Sequence, residues 1–363
     1  MNFRTSATVQ VPLVPAPAGE SDHAEAEGGG GAPDGSAVPG CLTRTAELVT
    51  PALSEVVARL PKTLRVPVEH HLAGGGKHLR SALVLLSAEA CGGEGQAALP
   101  GAVAIELVHN FSLLHDDIID GDRERRHRPT VWAEFGLGPA VVSGDALLVL
   151  AVQHLLEVST PARVHAATVL THLTQAMIAG QAKDMAFETA RSVSFEECLE
   201  MEWQKTGALL SCAASLGAIL SGANGETVFA LAEYGGHVGI AFQAVDDVLG
   251  IWGDPSITGK PVGSDLLGHK MTLPVVAAIA ASNGSGSGLE ALLDEIAGRT
   301  PPDESLLDEA RRMLEAAGAL EAAKDVADAH LEAALGALGD VKLEKGPLEE
   351  LVELAQFVVR RNW

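Results

Sequence analysis

Apolar residues along this chain recur at helical spacing, and few stretches alternate apolar with polar at period two. Residues 47–60 carry the first helical pattern, with Thr50-Pro51 as cap and first-turn proline. Residues 81–91 form an apolar helix stopped by Gly92-Gly93. Residues 100–120 are a long apolar helix, and 122–139 a charged loop. Further helices are predicted from Ser143 to about residue 158, over 161–188, over 194–220 behind a capping box of Ser194 and Glu197, and over 226–252. A Gly/Pro-bearing loop covers 253–268, a helix 273–281 and a flexible Gly/Ser linker 283–288, before three or four Ala/Leu/Glu helices. No repeat period of a solenoid is present. The expected fold class is all-α, with antiparallel helices, about ten or more, around a deep central cavity. Residues 1–40 have no helical period and little apolar mass, so they are expected to be disordered, leaving 41–363 as the folded domain.

Composition narrows the partners. The 363 residues are 47% hydrophobic, enough for a large core. Lys and Arg number 25 against 48 acids, giving −23, a surface that repels nucleic acid and anionic membrane. Cys41, Cys91, Cys198 and Cys212 form no Cys-x-x-Cys pair, which fits reduced, mostly buried thiols in a cytosolic protein. No basic-then-apolar leader opens the chain, and no clean apolar run of about 18 residues is apparent, so neither signal peptide nor transmembrane helix is expected.

Against this acidic background one stretch stands out. Asp116, Asp117 and Asp120 close the apolar helix that begins near residue 100. Asp116 and Asp120 fall one turn apart on one face. Carboxylates that close repel and disfavour ionisation, so the cluster calls for a cation, and hard oxygen ligands suit Mg²⁺. A lone acidic helix end is usually a solvated terminus, but a second run, Asp246-Asp247 after Phe242-Gln243, repeats the arrangement. Gly74-Gly75-Gly76-Lys77 with Arg80, then Lys205-Thr206 and Lys260, add cations. Two acidic clusters with scattered Lys and Arg describe a site for a metal-bridged diphosphate and a second anion.

In these motifs, and in their order from about residue 68 to the C-terminus, the chain resembles the trans-type polyprenyl diphosphate synthases. The resemblance implies the isoprenoid synthase fold, a homodimer, and Mg²⁺, about three ions per site. It implies head-to-tail condensation of isopentenyl diphosphate with an allylic diphosphate to a geranylgeranyl or farnesyl product. Metal ligation then falls to Asp116, Asp117, Asp120 and Asp246, and catalysis to these with Asp247 and Lys205. Gly75, Gly76, Lys77, Arg80, His109 and Arg126 match the isopentenyl diphosphate subsite. Arg125, Lys205 and Lys260 match the cations on the allylic diphosphate. Thr206, Gln181 and Gln243 match lining residues, Asp184 a helper in holding metal, and Lys270 a loop cation. Phe111 and Ser112, five and four residues before Asp116, are placed to limit product length, with Phe111 as the floor. No general base is evident, and the released diphosphate can take the last proton.

The family pattern is broken at Gly250, where a third aspartate is expected, and Asp254 and Asp265 are nearby substitutes. That gap supports one alternative, a weakly active partner subunit of a prenyltransferase. A class I terpene cyclase is the other. It requires a second metal motif that does not follow Asn110, Asn224 or Asn283, and aromatics are only 4%. Val9 to Pro15 is a short apolar, proline-bearing stretch on a spacer, which suits a docking peptide on a tether. This tail, with Asp246-Asp247-Val248-Leu249-Gly250, resembles polyprenyl transferases packaged in encapsulin shells. The expected location is cytoplasmic, inside such a nanocompartment, with the shell protein bound through residues 1–40.

Overall fold

The computed structural model describes residues 38–190, 192–253, 263–281, 288–297, 299 and 303–360. The tail at 1–37, Asp254, Lys260 and residues 283–287 of the linker lie outside the described residues.

The fold class is all-α, as the spacing predicts. Helices α1 (Gly40–Val57), α2 (Lys62–Leu72), α3 (Leu79–Ala90) and α4 (Gly95–Ile119) lead to a two-residue-per-strand hairpin, β1 (Glu124–Arg125) and β2 (Arg128–Pro129). There follow α5 (Val131–Phe135), α6 (Leu137–Leu156), α7 (Pro161–Phe187), α8 (Phe195–Glu202), a π-helical turn (Trp203–Gly207), α9 (Ala208–Leu220) and α10 (Gly225–Trp252). The chain ends with α11 (Ser264–Leu267), α12 (Leu273–Ala281), α13 (Gly288–Ile296), α14 (Glu304–Ala316), α15 (Ala319–Gly339) and α16 (Lys345–Val359).

Helix α9 is buried from Ala208 to Ile219 on every side. A helix apolar all round has no solvent face, so it must be enclosed, and α3, α4, α7 and α10 pack around it. Small residues set how close these neighbours come. A β-carbon on Gly217 would strike the Val84 carbonyl oxygen of α3, and one on Gly235 of α10 would strike that of Leu210. The two helices that end in aspartates therefore run close beside a rigid central rod.

Four details differ from the sequence expectation. Helix α1 starts at Gly40 with Pro39 as N-cap, and Pro51 sits inside it. Its buried face (Cys41, Leu42, Thr45, Val49, Leu53) continues across the proline and holds the helix despite the missing amide. The charged loop contains the hairpin and α5, and α6 already begins at Leu137. The capping box of Ser194 and Glu197 is present, but the helix it starts is interrupted by the π turn. Two helices, α4 and α6, are long and apolar enough by length and composition to cross a membrane, contrary to expectation. In α4 those residues are core, 67% of the window being buried, whereas only 39% of the α6 window is.

Because the α3–α9 crossing has no room for a methyl group, Gly217→Ala is expected to destabilise the protein by about 1–3 kcal/mol. Denaturant unfolding followed by circular dichroism measures the difference.

Candidate active site

The ends of α4 and α10, the glycine turn before α3, the hairpin and the π turn open on one cavity of about 940 Å³. Gly76, Lys77, Arg80, His109, Ser112, Asp116, Arg125, Arg126, Lys205, Thr206, Gln243 and Asp246 all line it. Residues that are up to 170 positions apart in the chain (246 against 76) thus converge.

The paired aspartates divide their work. Neighbouring helix residues point about 100° apart, and here one aspartate of each pair faces the cavity while the other is buried behind it. Asp116 and Asp246 line the cavity. Asp117, whose side chain is 1% exposed, instead accepts from Arg125 Nε at 2.6 Å, and its Oδ2 is buried without a partner. Asp247, also buried, accepts from Gln243 Nε2 at 2.8 Å and from the Leu273 amide at 2.9 Å. Glu202 is fully enclosed; burial, then the Asp247 charge, raise its pKa well above the ordinary carboxylate value. The assignment of Asp117 as a metal ligand is therefore corrected: it anchors Arg125. Asp247 likewise anchors its helix and does not touch the cavity.

Burial pushes Asp116 up to about 6 and Asp247 to about 7. Lys205 opposes the rise at Asp116, and Asp120 adds to it. At Asp247 the Glu202 hydrogen bond opposes, and Asp265 adds. Asp120, which is not among the residues lining the cavity, accepts from Lys270 Nζ at 3.2 Å. Lys270 also donates to Glu188 at 2.6 Å and lies 3.6 Å from Asp184, which accepts from Lys205 Nζ at 2.5 Å. Burial lowers the Lys270 pKa, but Asp184, Glu188 and Asp120 outweigh it and hold the ammonium charged. Burial thus weakens Asp116 as an anion even with Lys205 and Arg125 near it, and a bound cation would offset that. Among the described residues no three acidic, His or Cys groups form a ready cage. That suits Mg²⁺, which keeps waters and takes substrate oxygens. Asp116 and Asp246, as carboxylates lining the cavity, and Asp120, one turn after Asp116, are the candidate oxygen donors.

The cations are aimed by local backbone. In the π turn an extra residue widens the helix, as π-bulges at functional sites do, and brings Lys205 and Thr206 to the cavity. Gly180 lets α7 touch this turn, since a β-carbon there would strike the Lys205 amide nitrogen. Thr206 Oγ1 donates to Gln243 Oε1 at 2.7 Å, continuing the chain to Asp247. At the hairpin, Arg126 and His127 both have positive φ, 52° and 59°. The only other described non-glycine residues with positive φ are His78, beside Lys77, and His269, beside Lys270. Every such strained position adjoins or is a site cation, where surrounding contacts must hold it. Trp132 Nε1 and Thr130 Oγ1 both donate to the Asp122 carbonyl, at 2.7 and 2.8 Å, and pin the hairpin. His109 Nε2 lies 3.3 Å from Arg80 Nη1. Burial, then Arg80 and Arg126, depress its pKa well below the usual value, so it is neutral.

Some expectations fail or fall outside. Phe111 is 6% exposed, packs edge-on to His115 at 4.9 Å and does not line the cavity. Five residues rotate a helix by about 140°, so Phe111 leaves the Asp116 face, whereas four keep Ser112 on it. Gln181 does not line the cavity either; both its amide atoms are buried without partners. Glu202 and Glu188 were not foreseen, because a single acid on an apolar helix has no spacing signal.

Residues 61–314 match the family model described as Polyprenyl synthetase. The chain is 42% identical over 328 residues to the (2E,6E)-farnesyl diphosphate synthase of Mycobacterium tuberculosis, covering 87% of this chain and 91% of that one. The crystal structure of a polyprenyl synthetase from Streptomyces coelicolor A3(2) is similar at 44% identity and TM-score 0.84, covering 88% and 98%. A geranylgeranyl pyrophosphate synthase from Corynebacterium glutamicum, solved with isoprenyl diphosphate and magnesium, is similar at 25% identity and TM-score 0.80, covering 90% and 100%.

The raised carboxylates give a signed pH dependence. Between about 3.8, their ordinary value, and about 6 to 7, Asp116 and Asp247 keep protons that the unfolded chain has released. Stability of the metal-free protein from these groups is therefore full below the ordinary value and lost as pH rises through that window. Asp116→Asn is expected to match wild type near pH 4 and to exceed it near pH 7.5 by about 1–3 kcal/mol. Thermal or denaturant midpoints across pH check this; parallel curves contradict it.

Proposed function

This chain belongs to the polyprenyl synthetase family, and from that premise we propose that it is a short-chain prenyl diphosphate synthase. It joins isopentenyl diphosphate head to tail to an allylic diphosphate. The observation that carries the reading is one cavity holding both Asp116 and Asp246 together with the Gly76-Lys77 turn, Arg80 and Arg126. A terpene cyclase has no use for that second anion subsite, and nothing in the cavity favours a weakly active partner subunit.

When bound by Asp116, Asp120 and Asp246, Mg²⁺ supplies neutralisation of the departing diphosphate's charge. Lys205 and Arg125 then bind and orient the allylic diphosphate, and Asp117 holds Arg125 in place. Lys77, Arg80 and Arg126 hold isopentenyl diphosphate, with neutral His109 fixing Arg80. Keeping two diphosphates this close to fixed cations pre-arranges charge where it develops in the transition state. Leu113, Met177, Leu209 and Phe242 present an apolar wall that excludes water from the allylic cation. The released diphosphate takes the last proton.

We further propose a homodimer. Leu137, Val141, Val149 and Leu156 form an exposed apolar stripe on α6, with Ile178 and Met185 exposed on neighbouring α7. A contiguous patch of this kind marks a contact surface, and Val149→Glu is expected to shift the sedimenting species toward monomer. Residues 1–40 are proposed as a tether to an encapsulin shell in the cytoplasm. Loss of shell co-purification with retained activity, on deleting residues 1–40, supports the tether.

Asp116→Ala is expected to lower turnover roughly 10²–10³-fold, measured with labelled isopentenyl diphosphate and a set of allylic primers. Normal turnover of this variant would remove the proposed site. Ser112→Phe is expected to shorten the products, read by chromatography of the dephosphorylated prenols. Phe111→Ala instead removes a core ring and is expected to destabilise by about 3–5 kcal/mol.

A further inference from the structure

The turn that carries Lys77 joins α2 to α3, and two of its backbone positions lie in the left-handed region. Gly75, at φ 69°, needs no support there. His78, at φ 51°, carries a side chain, and such a residue stays in that region only where its surroundings fix it. His78 is also the N-cap of α3. Its backbone therefore sets how Lys77, one residue before it, and Arg80, two residues after it, leave the turn.

Three helices surround His78. From α3, Ser81 Oγ lies 3.2 Å from the His78 carbonyl oxygen and donates to Glu106 Oε1 at 2.7 Å. From α4, Glu106 is 6% exposed, and its Oε2 lies 3.9 Å from His78 Nδ1, which is buried without a hydrogen-bond partner. From α1, Thr50 Oγ1 and His78 Nε2 form a hydrogen bond at 3.4 Å. Thr50, Lys77, His78, Arg80 and Glu106 all line the cavity.

Thr50 belongs to no motif of the site. It lies eleven residues before the region that matches the family model (61 against 50). Yet α1 gives four residues to the cavity wall, Thr50, Leu53, Ser54 and Val57. Steps of three and four keep them on one helix face. Leu53 and Val57, 5% and 1% exposed, fasten that face to the core, and Ser54 Oγ donates to the Thr50 carbonyl at 2.9 Å. The threonine that reads as a helix cap in the sequence is thus a hydroxyl held at a fixed place beside the turn.

We infer that Thr50 is a positioning residue of the isopentenyl diphosphate subsite: its hydroxyl holds His78 in the left-handed conformation that aims Lys77 and Arg80 into the cavity. The inference rests on the prenyl-transfer reading for the identity of the bound diphosphate. Lys205 and Asp246 stand on other elements, the π turn and α10. Loss of the Thr50 contact therefore falls on isopentenyl diphosphate and not on the allylic diphosphate.

Condensation kinetics and calorimetric binding of isopentenyl diphosphate test this in full-length wild type, Thr50→Val, Thr50→Ser, His78→Gly and the double variant Thr50→Val/His78→Gly. Thr50 is exposed, so its substitution leaves the core intact. Thr50→Val keeps the shape and loses the hydroxyl. It is expected to weaken isopentenyl diphosphate binding and raise its KM about 3–10-fold, the worth of one intramolecular hydrogen bond, with the allylic KM and the thermal midpoint kept. Thr50→Ser restores the hydroxyl and is expected to match wild type. Glycine adopts positive φ without support, so in the His78→Gly background Thr50→Val is expected to cost nothing further. Binding unchanged in Thr50→Val overturns the inference. So does an equal loss in the His78→Gly background, which means that Thr50 does not act through His78. Should His78→Gly fail to fold, Thr50→Val against Thr50→Ser decides, and equal binding by the two overturns the inference. Wild type that neither binds nor condenses isopentenyl diphosphate overturns the functional reading itself; wild type that does both, with Thr50→Val its equal, overturns only the role of Thr50.

Discussion

The structure depends on how it keeps carboxylates at the ends of two apolar helices. A buried negative charge is unfavourable unless a cation or hydrogen bonds compensate it. Of the four paired aspartates, two are buried against protein partners and two face the cavity. Asp117 is held by Arg125, and Asp247 by Gln243 and the Leu273 amide. Asp116 and Asp246 are left facing the cavity. The buried partners fix the helix ends so that the facing groups stay in place, and burial raises the pKa of Asp116, which a bound cation would counter.

That arrangement needs a rigid frame and locally irregular backbone. Helix α9 is enclosed on all sides, and glycines at its contacts bring α3 and α10 close. Close packing of this kind transmits position from the core to the cavity wall. The irregular parts lie where cations must be aimed: the π turn for Lys205, the positive-φ hairpin for Arg126, and the turn at His269 for Lys270. The regular helices give stiffness, and the few strained residues give direction.

Much of this was legible in the sequence. Helical spacing is a local property, so the fold class and the aspartate helices could be read directly. The Asp116 and Asp246 runs, the Gly-Gly-Lys turn and the Lys205-Thr206 step carry chemistry in residue type and order. The cavity brings together most of the residues so read, from the Gly75-Gly76-Lys77 turn to Asp246. Boundaries were less legible. Pro51 read as a helix start because proline is disfavoured inside helices, yet the buried face of α1 overrides that preference.

Which member of each aspartate pair faces the cavity was decided only in three dimensions. Residue type is identical at both positions, and rotation about the helix is fixed by what packs behind it. Phe111 shows the same limit: spacing placed it near Asp116, but the core claimed its face. Glu202 gains its role from Asp247, which lies 45 positions away (247 against 202), and sequence distance carries no sign of that contact. Gly250 is a further case: a β-carbon there would meet the Asp265 carboxylate from another helix, a contact that residue type does not show. The sequence alone determined the helices, the chemistry they carry and the order of the motifs, because these follow from local periodicity and residue type. Tertiary packing decided which charges are buried, paired or left open, because solvation and neighbours are set only when distant helices meet.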